Sequence, residues 1–202
     1  VTYADKLGYR IKHLGVTRKT DKGIELRVHP TLIPHRRLIA NVDGVMNAVL
    51  VMGDAVGPTL YYGAGAGAEP TASAVVADIV DIARALTADP EHRVPHLAFQ
   101  PSKLSSTPVV SIDDVKTAYY LRMSVRDKPG VVAQVAGILG QKEISIEAIQ
   151  QKEPEEGEDS ASLVMLTQPV FEKNMKQAIN LIEELDSING KVVMIRVEHL
   201  DS

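Results

Sequence analysis

Tyr120-Leu-Arg-Met-Ser-Val-Arg-Asp-Lys-Pro-Gly-Val-Val132 is the stretch whose reading decides the fold. From Tyr120 to Arg126, apolar Leu121, Met123 and Val125 alternate with their neighbours, the two-residue period of a strand with one buried face. Asp127-Lys128-Pro129-Gly130 breaks the alternation, with Pro129 suited to the first position of a helix. Val131, Val132, Val135, Ile138 and Leu139 then recur at helical spacing, and Gly140 lies near the helix end. Working outward, Ile144-Ser145-Ile146 begins a second strand and Ala161 to Thr167 reads as a third. Glu172 to Leu185 predicts a second helix through Met175, Ala178, Ile179, Ile182 and Leu185, and Val192 to Val197 a last strand after a turn at Asn189-Gly190. The order βαββαβ is ferredoxin-like, with two helices on one face of a four-stranded antiparallel sheet. The fold class expected is α+β.

Upstream, residues 2 to 8 read as the end of a helix stopped by Gly8. Tyr9 to Val16 and Ile24 to Val28 both alternate, and Asp21-Lys22-Gly23 supplies the turn of an antiparallel hairpin. Pro30 to Pro34 reads as a bend; Ala48 to Met52 and Thr59 to Tyr62 read as strands. Tyr61 to Val76 then places Gly63, Gly65 and Gly67 among Ala64 and Ala66, ahead of Pro70 and a helix over Ala72 to Leu86. Two readings of this turn stand side by side. Its glycines and the free amides of the helix start suit an anion, and a Gly/Ala-rich turn packed tightly on a sheet has the same letters. A Rossmann unit is excluded, because the second strand with its acidic end is missing and Thr87 to His96 reads as a loop. The helix carries a wide apolar face (Val75, Val76, Ile79, Val80, Ile82), which needs more protein than these residues provide. Pro-, His- and Ser-rich residues up to Lys116 read as a connector, so the domains expected are 1–87, a linker over 88–118, and 119–200.

The 202 residues contain no cysteine, which excludes disulfides, thiolate metal sites and cysteine nucleophiles. A net charge of −4 with scattered cations gives no case for nucleic acid, and no apolar run reaches the ~20 residues of a membrane span. The protein is expected to be cytoplasmic. The six histidines form no HExxH, and no G-x-S-x-G is present. Glu153, Glu155, Glu156, Glu158 and Asp159 lack the calcium-loop spacing and read as a solvated hairpin loop, so no metal site is expected. Asp43 and Asn47 flank Gly44 and suit either a cleft or a plain turn. At the 127–130 turn, the helix-start amides can take an α-carboxylate while Asp127 accepts from an ammonium group; a strand-to-helix turn without a ligand reads alike. Ser145 can add a hydroxyl from a neighbouring subunit.

Gly-Tyr-Arg-Ile-Lys-His-Leu-Gly (8–15), His-Pro-Thr-Leu-Ile-Pro (29–34), Asn-Val-Asp-Gly-Val-Met-Asn-Ala-Val (41–49) and the glycine string 61–80 resemble the later catalytic part of homoserine dehydrogenases. Residues 120–198, with Arg-Asp-Lys-Pro-Gly-Val and Ile-Ser-Ile, resemble the ACT regulatory domain. The resemblance implies interconversion of L-homoserine and L-aspartate 4-semialdehyde with NAD(P)H, and threonine as inhibitor. It implies that Gly63, Ala64, Gly65, Ala66 and Gly67 face the nicotinamide end of the cofactor. It places an effector near Asp127, Pro129, Gly130 and Val131 of one subunit and Ser145 and Ile146 of another, in a homo-oligomer formed through both halves. The dinucleotide fingerprint and the catalytic acidic and lysine segment are missing, and Lys6 and Lys12 do not match that lysine. The chain is therefore expected to be a C-terminal portion, inactive alone and holding no tightly bound cofactor.

Overall fold

The computed structural model describes residues 2–87, 98–152 and 160–200. In chain order the elements are helix α1 (Thr2–Lys6), strands β1 (Tyr9–Thr20) and β2 (Gly23–Pro34), a 3-10 turn at Leu38–Asn41, β3 (Met46–Gly53), β4 (Gly57–Ala64) and α2 (Ala68–Thr87). There follow β5 (Lys116–Arg126), α3 (Val131–Gln141), β6 (Ile146–Lys152), β7 (Ser160–Thr167), the short β8 (Val170–Phe171), α4 (Glu172–Glu183) and β9 (Ile188–Val197). They divide into two compact units, one of residues 1–40 with 108–200 and one centred on residues 41–107.

In the first unit the sheet runs β1-β2-β9-β5-β7-β6. Its β9-β5-β7-β6 part is antiparallel throughout, and with α3 and α4 it forms the expected ferredoxin-like arrangement. Leu121, Met123 and Val125 of β5 do face a core, closed by Val135 and Leu139 of α3 and Met175, Ala178 and Ile182 of α4. On the opposite face, Ala4 of α1 packs with Leu32, Ala118, Tyr120, Val164, Leu166 and Val197 in a second, smaller cluster. The hairpin β1–β2 joins this sheet through only two parallel pairs, Thr31 with Arg196 and Leu32 with Val197.

Four local expectations are corrected. Residues 30–34 are not a bend: β2 stays paired with β1 from Gly23 to Pro34. Its other edge meets β9 only at Thr31 and Leu32, so Pro30 and Pro34 forfeit no ladder bond there. Asn189-Gly190 is not a turn ahead of the last strand but a bulge inside β9. Pairing jumps from Ser124–Asn189 to Arg122–Val193, with Gly190 at φ 77°. Helix α2 begins at Ala68 rather than Ala72, with Pro70 in its first turn, where no intrahelical N–H partner is needed. Pro129 precedes α3 rather than opening it; Gly130 is the N-cap, at φ 90° in the left-handed region.

The second unit pairs β3 with β4 over eight residues and continues into α2. None of the residues of α2 is buried, and Val75, Val76, Ile79 and Ile82 are each more than half exposed. The wide apolar face read from the sequence therefore meets no partner among the described residues. The acidic run 153–159 lies outside the described residues.

Candidate functional site

The glycine turn links the end of β4 to α2. Gly65 donates its N–H to the Val45 carbonyl (2.8 Å), which fastens the turn to the start of β3. A Cβ at Gly65 would fall 1.7 Å from the Asn47 amide nitrogen, so only glycine lets that side chain lie against the turn. Asn47, singled out beside Gly44, is thus brought to the glycines. Among the described residues, the amides of Ala66, Gly67, Ala68 and Glu69 have no hydrogen-bond acceptor. Together with Gly63 and Ala64 they form an exposed backbone surface at a helix N-terminus, a donor set that suits a polar or anionic part of a cofactor.

The second candidate is the turn from β5 to α3. Arg126 N–H donates to the Ser187 carbonyl and Lys128 N–H to that of Arg126 (both 2.8 Å), while Gly130 accepts from Gln134 N–H (3.0 Å). Asp127, Pro129 and Gly130 are exposed, and Val131 is buried beneath them. No atom lies within 4 Å of the position a Gly130 side chain would take, which leaves open space above the helix start. Ser145 is exposed and its carbonyl accepts from Gln168 N–H (2.8 Å), with Ile146 half-buried beside it. The fold does not bring these two groups together within one chain. Arg126 pairs with Ser160 and Ile146 with Thr167, at opposite ends of β7. Seven residue steps at ~3.4 Å put about 24 Å between them.

A third constellation was not legible in the sequence. Glu25, Arg27 and His29 of β2 are buried, while Leu26 and Val28 between them are exposed. The Arg27 guanidinium, 2% exposed, lies 2.5 Å from Glu198 Oε1, 3.7 Å from Glu25 Oε2 and 3.4 Å from His29 Nε2. Arg18 reaches Glu198 at 3.6 Å and Glu25 at 3.8 Å. Since Arg27 can only donate, His29 Nε2 accepts, and the ring proton sits on Nδ1, 3.3 Å from the Pro30 carbonyl. Burial, then the Arg196 charge, hold the His29 pKa below its ordinary value, in keeping with a neutral ring. Nearby, Glu172 at the start of α4 is 1% exposed, accepts from both Nε and Nη2 of Arg196, and takes the Tyr119 hydroxyl at 3.3 Å. Burial and the Glu172 carboxylate push the Tyr119 phenol upward. The signal available was only that residues 23–29 alternate two complete faces, one apolar and one charged.

The chain thus carries two kinds of part, a ferredoxin-like α+β domain with an open helix-start turn and, separately, a strand–glycine turn–helix with free amides. Comparison with known proteins agrees. Residues 1–80 match the family model described as homoserine dehydrogenase, and residues 119–187 that of the ACT domain. The homoserine dehydrogenase of Pseudomonas aeruginosa is 61% identical over 201 residues, covering 100% of this chain and 46% of that protein. That of Helicobacter pylori is 43% identical over 198 residues, covering 98% and 45%. A crystal structure of a homoserine dehydrogenase from Thiobacillus denitrificans superposes with a TM-score of 0.91 at 60% identity, over 100% of this chain and 45% of that one. That of S. aureus at pH 7.0 gives 0.60 at 25% identity, over 99% and 44%. Along its whole length the chain is similar to homoserine dehydrogenases, and it spans just under half the length of the relatives it matches.

Proposed function

We propose that this chain is part of a homoserine dehydrogenase that interconverts L-homoserine and L-aspartate 4-semialdehyde with NAD(P)H. Residues 1–87 contribute to the catalytic domain, 88–118 connect, and 119–200 form the regulatory domain. The observation that carries the reading is the exposed glycine turn with free amides at the head of a helix whose apolar face is uncovered. Gly63, Ala64, Gly65, Ala66 and Gly67 line the nicotinamide end of the cofactor. When bound, NAD(P) supplies the hydride chemistry, and the turn's role is to position it. The groups that move the substrate proton lie outside this chain, so the purified chain alone oxidises no homoserine. Detectable homoserine-dependent reduction of NAD or NADP by this chain would refute that division of labour.

The regulatory half senses an amino acid, threonine being the first candidate. Its carboxylate takes the open helix-start amides of Gly130 and Val131, which Pro129 precedes in the turn, its ammonium group takes Asp127, and Ser145 and Ile146 of a second subunit complete the site. Calorimetric titration with L-threonine tests this: saturable binding that disappears in Asp127→Ala supports it, and equal binding by that variant sinks it. The rival reading is a non-catalytic amino-acid-binding module. It draws on the first unit having a core of its own, and the turnover of an enzyme restored to its relatives' length separates the two. The compartment proposed is cytoplasmic; no helix among the described residues is long and apolar enough to cross a membrane.

A further inference from the structure

The face of the sheet opposite α3 and α4 carries a hollow whose chemistry matches neither of the sites above. Arg122 stands at its centre on β5, flanked across the sheet by Val164 of β7 and Val193 of β9. Among the described residues its side chain makes no ion pair and no hydrogen bond. Two adjoining clefts share Arg122 and Val193 as their common wall. One is lined by Ser124, Ser162 and Asn189 together with Met123, and the other by Tyr3, Ile11, Tyr120 and Ile195.

The bulge in β9 shapes the serine side. Residues 190–192 leave the β5 ladder opposite Met123, so that Ser124 and Ser162, directly paired across β5 and β7, border open space. Glu183 of α4 fixes the bulge by accepting from Val192 N–H (2.8 Å) and from the Lys191 ammonium (2.6 Å). The Lys191 charge is thereby matched within the protein, and the hollow holds one uncompensated positive charge, that of Arg122. Bulges that re-aim side chains are common beside binding sites.

We propose that this hollow binds a small aliphatic monocarboxylate of the 2-oxo or 2-hydroxy acid class. The Arg122 guanidinium pairs with the carboxylate, the preferred geometry being two parallel N–H donors to its two oxygens. Ser124 and Ser162 donate to the 2-oxygen, and the hydrocarbon end lies towards Ile11, Tyr120 and Ile195. A single free cation favours a monoanion over a phosphate. Among the described residues no carboxylate lines the hollow, so the ammonium group of an amino acid would meet no partner among them, which separates this ligand from the effector proposed at Asp127.

The test uses the whole chain, labelled for amide and methyl NMR and titrated with 2-oxo-3-methylbutanoate, with L-valine, and with 2-methylpropan-1-ol. Saturable shifts at Ser124, Ser162, Val193 and Ile195 are expected with the oxo acid. L-Valine should bind at least about tenfold more weakly and the alcohol should leave these signals unmoved, because each loses a charged or paired contact. Arg122→Gln should abolish the shifts and Arg122→Lys should weaken them. If Arg122→Gln fails to fold, Ser162→Asp, which sets a carboxylate beside Arg122, should abolish binding in a chain whose amide dispersion is intact. The proposal is overturned by absence of saturation up to about 50 mM, well above the millimolar range of weak specific ligands. It is equally overturned by shifts that persist in Arg122→Gln or Ser162→Asp, or by L-valine matching the oxo acid. Threonine shifts confined to Asp127–Val131 bear on the effector site alone.

Discussion

Arg27 is held between the carboxylates of Glu25 and Glu198 with almost no access to water; its Nη1 meets Glu198 Oε1, while its Nε and Nη2 and Glu25 Oε2 have no hydrogen-bond partner among the described residues. Removing the guanidinium leaves two buried carboxylates facing each other. Arg27→Met is therefore expected to cost about 3–5 kcal/mol in urea unfolding. Adding Glu25→Gln and Glu198→Gln should recover most of that loss, because the charges that made it costly are gone. His29 adds a pH dependence. Its folded pKa is depressed by burial and by Arg196, so the unfolded chain takes up the proton first as pH falls. The stability it contributes is whole above about pH 6.5 and declines below that value as the unfolded imidazole protonates. Stability curves of the protein and of His29→Gln should run parallel above that pH and separate below it, the protein losing stability more steeply than the variant; an unchanged slope in the variant would exclude His29 as the source.

Helix α2 is the more apolar of the pair α2 and α4 in the letters, and the two have opposite surroundings in the structure. Met175, Ala178 and Ile182 of α4 are fully buried, whereas no residue of α2 is. Ile182→Ala is thus expected to cost about 2–5 kcal/mol, and Ile79→Lys on α2 to stay within about 0.5 kcal/mol in this chain. Amide exchange should likewise be far faster in α2 than in α4. The same contrast shows what could be read from the sequence. The strand–turn–helix of 120–139 was legible because one hydrophobic period ends where the next begins, at Asp127 to Gly130. The bulge at Gly190 was not, since Asn-Gly signals a turn and only pairing with β5 reveals that the strand continues on both sides of it. The direction of β2 was hidden for a related reason. Leu26 and Val28 look like the buried face, and nothing local reveals that Glu198 and Arg18 wait on the other side to compensate Arg27. At the glycine turn, the letters indicated that the backbone must approach something closely. They did not show that Asn47 is part of what it approaches.

In the sheet, β6 has β7 on one side and, among the described residues, no strand on the other, and Ile149 on it is 46% exposed. An open edge of this kind accepts a strand from a second copy. If two β6 strands pair antiparallel, Ser145 and Ile146 of one chain lie at the same end of the combined sheet as the Lys152 end of its partner. Lys152 pairs with Ser162 and Arg126 with Ser160, so the partner's 127–130 turn belongs to that same end. It stands three strand spacings from Ser145, about 14 Å. Antiparallel pairing thus narrows the gap of about 24 Å that separates the two groups within one chain, and it does so twice by symmetry. Assembly and effector binding are then coupled. Ile149→Lys sets a charge on the edge, and it should shift the protein towards monomer in sedimentation velocity while abolishing the threonine heat. Asp127→Ala should abolish the heat and leave sedimentation unchanged. Threonine binding by a monomeric Ile149→Lys protein would place the whole effector site within one chain, and the pairing through β6 would then have to be abandoned.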